Sequence, residues 1–99
     1  MQTHKDKKIK VYKGHYELTT EEAISVVNLF DKYLPYNYTE EIQRLAKDDE
    51  RDFTSDYIRQ VRSGRSKNQF IFQYLMQYAS ALKNASVAAK RAIQANMSA

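Results

Sequence analysis

The sequence predicts an all-α fold, a small bundle of about four helices, and three observations support this. Apolar residues recur at helical spacing, as in the stripe from Ile71 to Leu82. At two sites a Ser or Thr precedes a Glu or Gln by three residues, which is the spacing of a helix capping box. The 99 residues contain only two glycines and one proline, so few positions interrupt a helix.

The first two predicted helices have clear start and stop signals. The first covers about residues 20–34, from the capping box of Thr19 to the break at Pro35. The second begins with Thr39 as its cap and ends near Asp49. The apolar stripes of these helices are expected to face the core: Ala23, Val27, Phe30, Leu34, Ile42, Leu45 and Ala46.

The third predicted helix is short and covers about residues 55–63. Thr54 can cap its start, and Gly64 can end it. Ile58 and Val61 are three residues apart and therefore share one face, which we expect to be buried. Arg59, Gln60 and Arg62 point away from this face and are expected to be exposed. The charged loop before this helix is expected to be anchored by Phe53.

A long fourth helix follows, beginning near the capping-box spacing of Ser66 and Gln69 and extending to about residue 93. Residues 84–99 are rich in alanine, which favours a helix but buries little area. We therefore expect residues 19–83 to form the helical domain, and residues 84–99 to be a helix or tail that leaves the core or contacts another chain.

Residues 1–18 are expected to form a basic N-terminal arm. Residues 1–8 resemble a disordered tail. Residues 9–18 show weak apolar alternation around Lys13 and Gly14, which indicates a small hairpin or an extended arm.

Charge is distributed unevenly, although the net charge is only +4. The segment 19–50 has eight acidic residues against three basic ones, giving −5. The segments 1–18, 51–68 and 69–99 each have a net charge of +3. Basic surfaces of this kind attract polyanions.

Several function classes are not supported. The chain has no cysteine, which excludes disulfides and thiol chemistry. His4 and His15 have no evident nucleophile or carboxylate partner, so we expect no catalytic activity. The acids of segment 48–52 lack the spacing of a calcium loop, and we expect neither a metal nor a cofactor. Without a long apolar run or a signal-peptide core, we expect a cytoplasmic protein with no membrane partner.

Two segments together resemble a known family. Residues 57–66, YIRQVRSGRS, resemble the end of the recognition helix in lambda-repressor-like (Xre-type) helix-turn-helix DNA-binding domains. Leu45-Ala46-Lys47 resembles the first helix of that motif, in which a small alanine permits close helix crossing. The resemblance covers roughly residues 39–82. The chain departs from the family in its turn, since Ala46 and Ile58 are twelve residues apart, a longer spacing than usual, and the turn is acidic.

The resemblance implies that the third helix enters the major groove of duplex DNA. Arg59 and Gln60 are then the candidates for base contacts, because arginine pairs bidentately with guanine and glutamine with adenine. Asp56 is a candidate acceptor for a cytosine amine, but an acid at this position more often stabilises the positive N-terminal end of the helix dipole. The remaining polar residues would contact phosphates. The DNA-binding residues that this implies are Thr54, Ser55, Arg59, Gln60, Arg62, Arg65 and Lys67.

We therefore expect a sequence-specific DNA-binding regulator or accessory factor, with double-stranded DNA as its partner and a homodimer formed through the C-terminal helix. One alternative is a helical protein-interaction module that does not bind nucleic acid. Another is a single-stranded RNA binder that uses Tyr33, Tyr36 and Tyr38 to stack on bases. Tyrosines of this kind more often cover the edge of a small core.

Overall fold

The computed structural model describes residues 4–97, which fold into five α-helices rather than four. The predicted all-α class is confirmed, and no strand occurs in this range. The last helix is the longest and packs against the three helices before it, while the first helix packs on the second. The five helices are α1 (His4–Tyr16), α2 (Thr20–Tyr33), α3 (Tyr38–Asp48), α4 (Ser55–Ser63) and α5 (Gln69–Met97).

One hydrophobic core joins all five helices. It combines aliphatic residues of α2 to α5 with aromatic rings that meet between α1, α2 and α5. Burial of this apolar surface is the main source of stability in a domain of this size. The buried apolar residues are Tyr12, Ala23, Val26, Val27, Phe30, Leu34, Tyr38, Ile42, Ala46, Ile58, Val61, Ile71, Phe72, Tyr74, Leu75 and Ala79.

Helix α1 corrects the prediction for the N-terminal segment. Residues 4–16 are helical, so the expected disordered tail and extended arm or hairpin are wrong for these residues, while residues 1–3 lie outside the described range. Tyr12 is 1% exposed, and its ring packs edge-on against Phe72 with centroids 5.5 Å apart. Tyr16 stacks on the same Phe72 ring at 3.9 Å. These aromatic contacts with α5 hold a helix that has little apolar surface of its own.

Helix α2 begins as the sequence predicts. The hydroxyl of Thr19 accepts a hydrogen bond from the Glu22 amide at 3.1 Å, and the Glu22 carboxylate accepts one from the Thr19 amide at 2.9 Å. This reciprocal pair is the predicted capping box. The helix ends at Tyr33, close to the expected residue 34.

Helix α3 begins two residues earlier than predicted. Its N-cap is Asn37, whose side chain makes no capping hydrogen bond. Thr39, the predicted cap, lies inside the helix and is 6% exposed. Ile42 and Ala46 are fully buried, which confirms that this face of the helix meets the core.

Helix α5 begins at Gln69 with a different cap from the predicted one. The side-chain oxygen of Asn68 accepts a hydrogen bond from the Ile71 amide at 3.0 Å. Ser66 instead donates its hydroxyl hydrogen to Gln60 Oε1 at 3.0 Å. The Ser66–Gln69 capping box is therefore wrong, and Asn68 has the capping role.

The two halves of α5 have different environments. Ile71, Leu75 and Ala79 are fully buried, but beyond Ala79 no residue of α5 up to Met97 is buried. The helix continues past the predicted end near residue 93. No helix within residues 4–97 combines the length and apolar content needed to cross a bilayer.

Candidate nucleic-acid interface

Helix α4 has the predicted boundaries and the predicted buried face. The Thr54 hydroxyl accepts a hydrogen bond from the Tyr57 amide at 3.1 Å and caps the helix. Ile58 and Val61 are both 0% exposed, so they fix the helix on the core. Gly64 ends the helix with φ at +88°, a left-handed conformation that glycine adopts without steric cost.

Arg59 and Gln60 lie on the exposed side of α4, as predicted. Arg59 Nη1 lies 3.0 Å from Asp56 Oδ1, and both side chains are largely exposed. Gln60 accepts the hydrogen bond from Ser66 described above. An exposed ion pair is worth little in water, so Arg59 can exchange this partner for another anion at small cost.

The prediction that Arg62 is exposed is wrong. Its side chain is 20% exposed, because position 62 follows Ile58 by four residues and lies toward the buried side of the helix. The guanidinium donates a hydrogen bond to the Phe30 carbonyl at 3.3 Å and lies 4.6 Å from the centre of the Tyr38 ring. Arg62 therefore joins α4 to α2 and α3.

Tyr12 adds a second link to the same position of α4. Its buried hydroxyl donates a hydrogen bond to the Arg62 backbone carbonyl. Burial raises the pKa of Tyr12 well above that of an ordinary tyrosine. No local sequence pattern indicates this contact, because the partners are far apart in the chain and α1 has little amphipathic character.

The turn after α4 presents the other predicted basic residues. Arg65 and Lys67 are both exposed, and Arg65 Nε donates a hydrogen bond to the Ser63 hydroxyl at 3.3 Å. Thr54 is exposed and Ser55 is half-buried at the opposite end of the helix. The structure thus places Arg59, Gln60, Arg65 and Lys67 on solvent-facing positions of α4 and its exit turn.

The acidic turn between α3 and α4 is fixed to α5. The Tyr74 hydroxyl donates to Asp49 Oδ2 at 2.6 Å and accepts from Arg51 Nη1 at 2.8 Å. The Arg51 guanidinium also stacks over the Phe70 ring at 3.8 Å. Phe53 is half-buried, as expected for the anchor of this turn. The additional length of the turn is therefore held by specific contacts.

The three tyrosines around Pro35 do not share one environment. Tyr38 is buried under the Arg62 guanidinium, and Tyr33 is half-buried. Tyr36 is fully exposed. This arrangement offers one exposed ring rather than the joint stacking surface that single-strand binding would use.

Comparisons with known proteins give no assignment. No protein-family model, no curated protein and no solved structure matches this chain.

Proposed function

We propose that this chain binds duplex DNA through α4 and the basic turn that follows it. The observation that carries the proposal is the division of α4 into two sides. Ile58 and Val61 are completely buried, while Arg59 and Gln60 face solvent on the same two turns. A recognition helix needs this arrangement, because it must be fixed to its domain while its long polar side chains reach base edges.

The polar residues divide into two roles by their chemistry. Arg59 and Gln60 are long donors near the middle of α4 and would read bases in the major groove. Arg65 and Lys67 lie on the exit turn and would bind phosphates. Thr54 and Ser55 lie at the N-terminus of α4, where a hydroxyl or a backbone amide can bind a further phosphate. Arg62 is assigned to the fold and not to this surface.

The α3–α4 pair would act as the helix-turn-helix of a regulator or accessory factor. The fixed acidic turn is compatible with this role, because Arg51 lies 3.5 Å from Asp49 and offsets part of its charge. With the turn fixed to Tyr74, α4 has a defined orientation relative to α5. A defined orientation is required for a recognition helix to reach the same base edges on each binding event.

Binding is tested first with the full chain and a random duplex library. Selection of bound sequences followed by fluorescence anisotropy gives the affinity for the selected site and for unrelated duplex DNA. We expect tighter binding to the selected site, and affinity that falls steeply between 50 mM and 200 mM salt.

Variants then separate the two roles. Arg65→Ala or Lys67→Ala should weaken binding to every duplex, and each should flatten the log–log salt slope by about one unit. Arg59→Ala should reduce the preference for the selected site by roughly 1–3 kcal/mol and affect unrelated DNA less. Lys32→Ala is a matched control, because Lys32 is exposed on α2 and belongs neither to α4 nor to the distal half of α5.

Two outcomes would contradict the proposal. If the folded chain shows no affinity for duplex DNA at low salt, the charged faces serve another partner, as in a protein-interaction module. If single-stranded RNA competes more strongly than duplex DNA, the nucleic-acid surface is a different one. Equal losses for Arg59→Ala on all sequences would remove the assignment of Arg59 to base contacts.

A further inference from the structure

A stripe of exposed positions runs along α1 on the side away from the core. Lys7, Lys10 and Gly14 are spaced by three and four residues and therefore follow one line on the helix surface. All three are exposed, whereas Tyr12 on the other side is buried. Within residues 4–97 neither Lys7 nor Lys10 forms a salt bridge.

Gly14 is unusual for its position. It lies inside α1 and lacks a positive φ, and a Cβ atom added there would meet nothing within 4 Å. The left-handed position after α1 belongs to Glu17, with φ at 55°, so Gly14 does not terminate the helix. A glycine inside an exposed helix lowers helix stability relative to alanine. The fold described by residues 4–97 therefore gains nothing from this glycine.

The helix that carries the stripe contacts the end of α4 and the turn that follows it. Val11, which adjoins Lys7 and Gly14 on the helix, contacts the exit turn of α4: a Cβ on Gly64 would lie 3.0 Å from Val11 Cγ1. The Asn68 amide donates a hydrogen bond to the Tyr16 hydroxyl at 3.4 Å. Together with the bond from Tyr12 to the end of α4, these contacts place α1 across the turn that contains Arg65 and Lys67.

The surroundings of the stripe are predominantly basic. Helix α1 contains five lysines and a single acid, Asp6. Asp31 on α2 lies 3.9 Å from Lys8 and 3.8 Å from Arg62, so two cations offset its charge. Such a face is complementary to a polyanion.

We propose that the stripe of Lys7, Lys10 and Gly14 docks on the sugar–phosphate backbone of duplex DNA beside the groove that α4 enters. The two lysines would bind phosphates. Gly14 would let the backbone of α1 approach the DNA strand more closely than any side chain permits, which is a recognised use of glycine at ligand surfaces. This inference rests on the proposed function and adds a second contact element to it.

The sharpest test separates stability from binding at Gly14. Gly14→Ala and Gly14→Leu should both raise the Tm, because alanine and leucine favour a helix more than glycine does. The same variants should weaken duplex binding in order of side-chain size, with a loss of roughly tenfold or more for leucine. A variant that is more stable but binds less tightly cannot be explained by loss of the fold.

A charge test complements this. The double variant Lys7→Ala with Lys10→Ala should flatten the log–log salt slope by about two units. Lys13→Ala is the matched control on the same helix: Lys13 is off the stripe and donates a hydrogen bond to the Thr20 hydroxyl at 2.7 Å. It should leave the slope unchanged.

The outcomes distinguish the two proposals. If the unmodified chain fails to bind duplex DNA, both the proposed function and this inference are wrong. If the chain binds DNA through α4 but the Gly14 variants bind as tightly as the original, only the docking of α1 is overturned. If Lys13→Ala flattens the salt slope as much per lysine removed as the Lys7→Ala, Lys10→Ala double variant does, the effect is one of diffuse charge, and the docking of α1 is also overturned.

Discussion

At the scale of single residues, Arg62 connects more of the molecule than any other polar side chain of α4. Its guanidinium contacts the Phe30 carbonyl and the Tyr38 ring, and its own carbonyl accepts the Tyr12 hydroxyl hydrogen. Arginine suits this position because its planar head can donate hydrogen bonds and stack on a ring at the same time. Removing it would leave the Phe30 carbonyl without this donor and Tyr38 without its cover.

We predict that Arg62→Ala lowers the free energy of unfolding by about 1.5–3 kcal/mol, since it removes a charged hydrogen bond and packing from a mostly buried site. Arg59→Ala should change the same quantity by less than about 0.5 kcal/mol, because its ion pair is exposed. Urea denaturation of both variants measures the difference. Equal stabilities would show that the Arg62 contacts contribute nothing to the fold.

The left-handed backbone conformation at the end of α4 requires a glycine at position 64. With φ at +88° and Val11 Cγ1 3.0 Å from the place of a Cβ, Gly64→Ala should lower the free energy of unfolding by about 1–2 kcal/mol. Repeating the substitution in a Val11→Ala background isolates the backbone strain from the contact with Val11. A neutral Gly64→Ala in thermal and urea melts would contradict this account.

The buried hydroxyl of Tyr12 should make the free energy of unfolding depend on pH. Burial raises the pKa of its hydroxyl, so the folded protein keeps the proton where the unfolded chain loses it, above about pH 10. Stability from this group is therefore complete below pH 10 and falls as the pH rises further. Tyr12→Phe removes this ionisation, so the unfolding free energy should fall less steeply with pH, by the equivalent of up to one bound proton. The urea midpoint, followed from about pH 8 to pH 11, measures the change. An unchanged slope would mean that Tyr12 ionises normally.

At the scale of elements, capping hydrogen bonds determine where α2, α4 and α5 start, and one of these caps also contributes to the packing between helices. Thr19 and Thr54 cap α2 and α4 through contacts within one turn. Asn68 caps α5 and lies next to Tyr16 and Tyr57, so its cap is also part of the packing between helices. The start of α5 is therefore fixed by both local and distant contacts.

Substitution of the two residues near the start of α5 tests this assignment. Asn68→Ala should lower the free energy of unfolding by about 1 kcal/mol, because the Ile71 amide loses its acceptor. Ser66→Ala should cost less than about 0.5 kcal/mol, because its hydroxyl contacts an exposed glutamine. If Ser66→Ala lowers the free energy of unfolding more than Asn68→Ala does in urea melts, Ser66 and not Asn68 caps α5.

At the scale of the whole molecule, the distal half of α5 extends beyond the core. Val87, Ile93 and Met97 are its exposed large apolar residues, and its charged residues are Lys83, Lys90 and Arg91. A helical segment with no fully buried residue in its own domain is suited to pairing with a second copy. Pairing would also serve the proposed DNA binding, because one short recognition helix reads only a few base pairs.

We predict that deleting residues 86–99 changes the free energy of unfolding of the monomer by less than about 1 kcal/mol, because Ala79 is the last buried residue of α5. We also expect the full chain to form a homodimer that the deletion abolishes. Sedimentation and thermal melts of both chains measure these effects. If the shortened chain unfolds, the core extends further along α5 than Ala79. If both chains sediment as the same species, the predicted homodimer is wrong.

The sequence by itself determined the features whose causes lie within one or two helical turns. The all-α class, the capping box at Thr19, the bounds of α4 and the burial of Ile58 and Val61 were all predicted. For the candidate site, the exposure of Arg59 and Gln60 was predicted as well. Capping bonds and apolar spacing act between residues close in the chain, so they are visible in the sequence.

Only the tertiary structure decided the features that depend on residues far apart in the chain. Helix α1 has little apolar surface, and its docking depends on the distant Phe72 and on the carbonyl of Arg62. Arg62 turns inward because α2 and α3 supply an acceptor and a ring. Tyr74 fixes a turn more than twenty residues before it. These partners meet only when the chain is folded, so no local pattern could predict them.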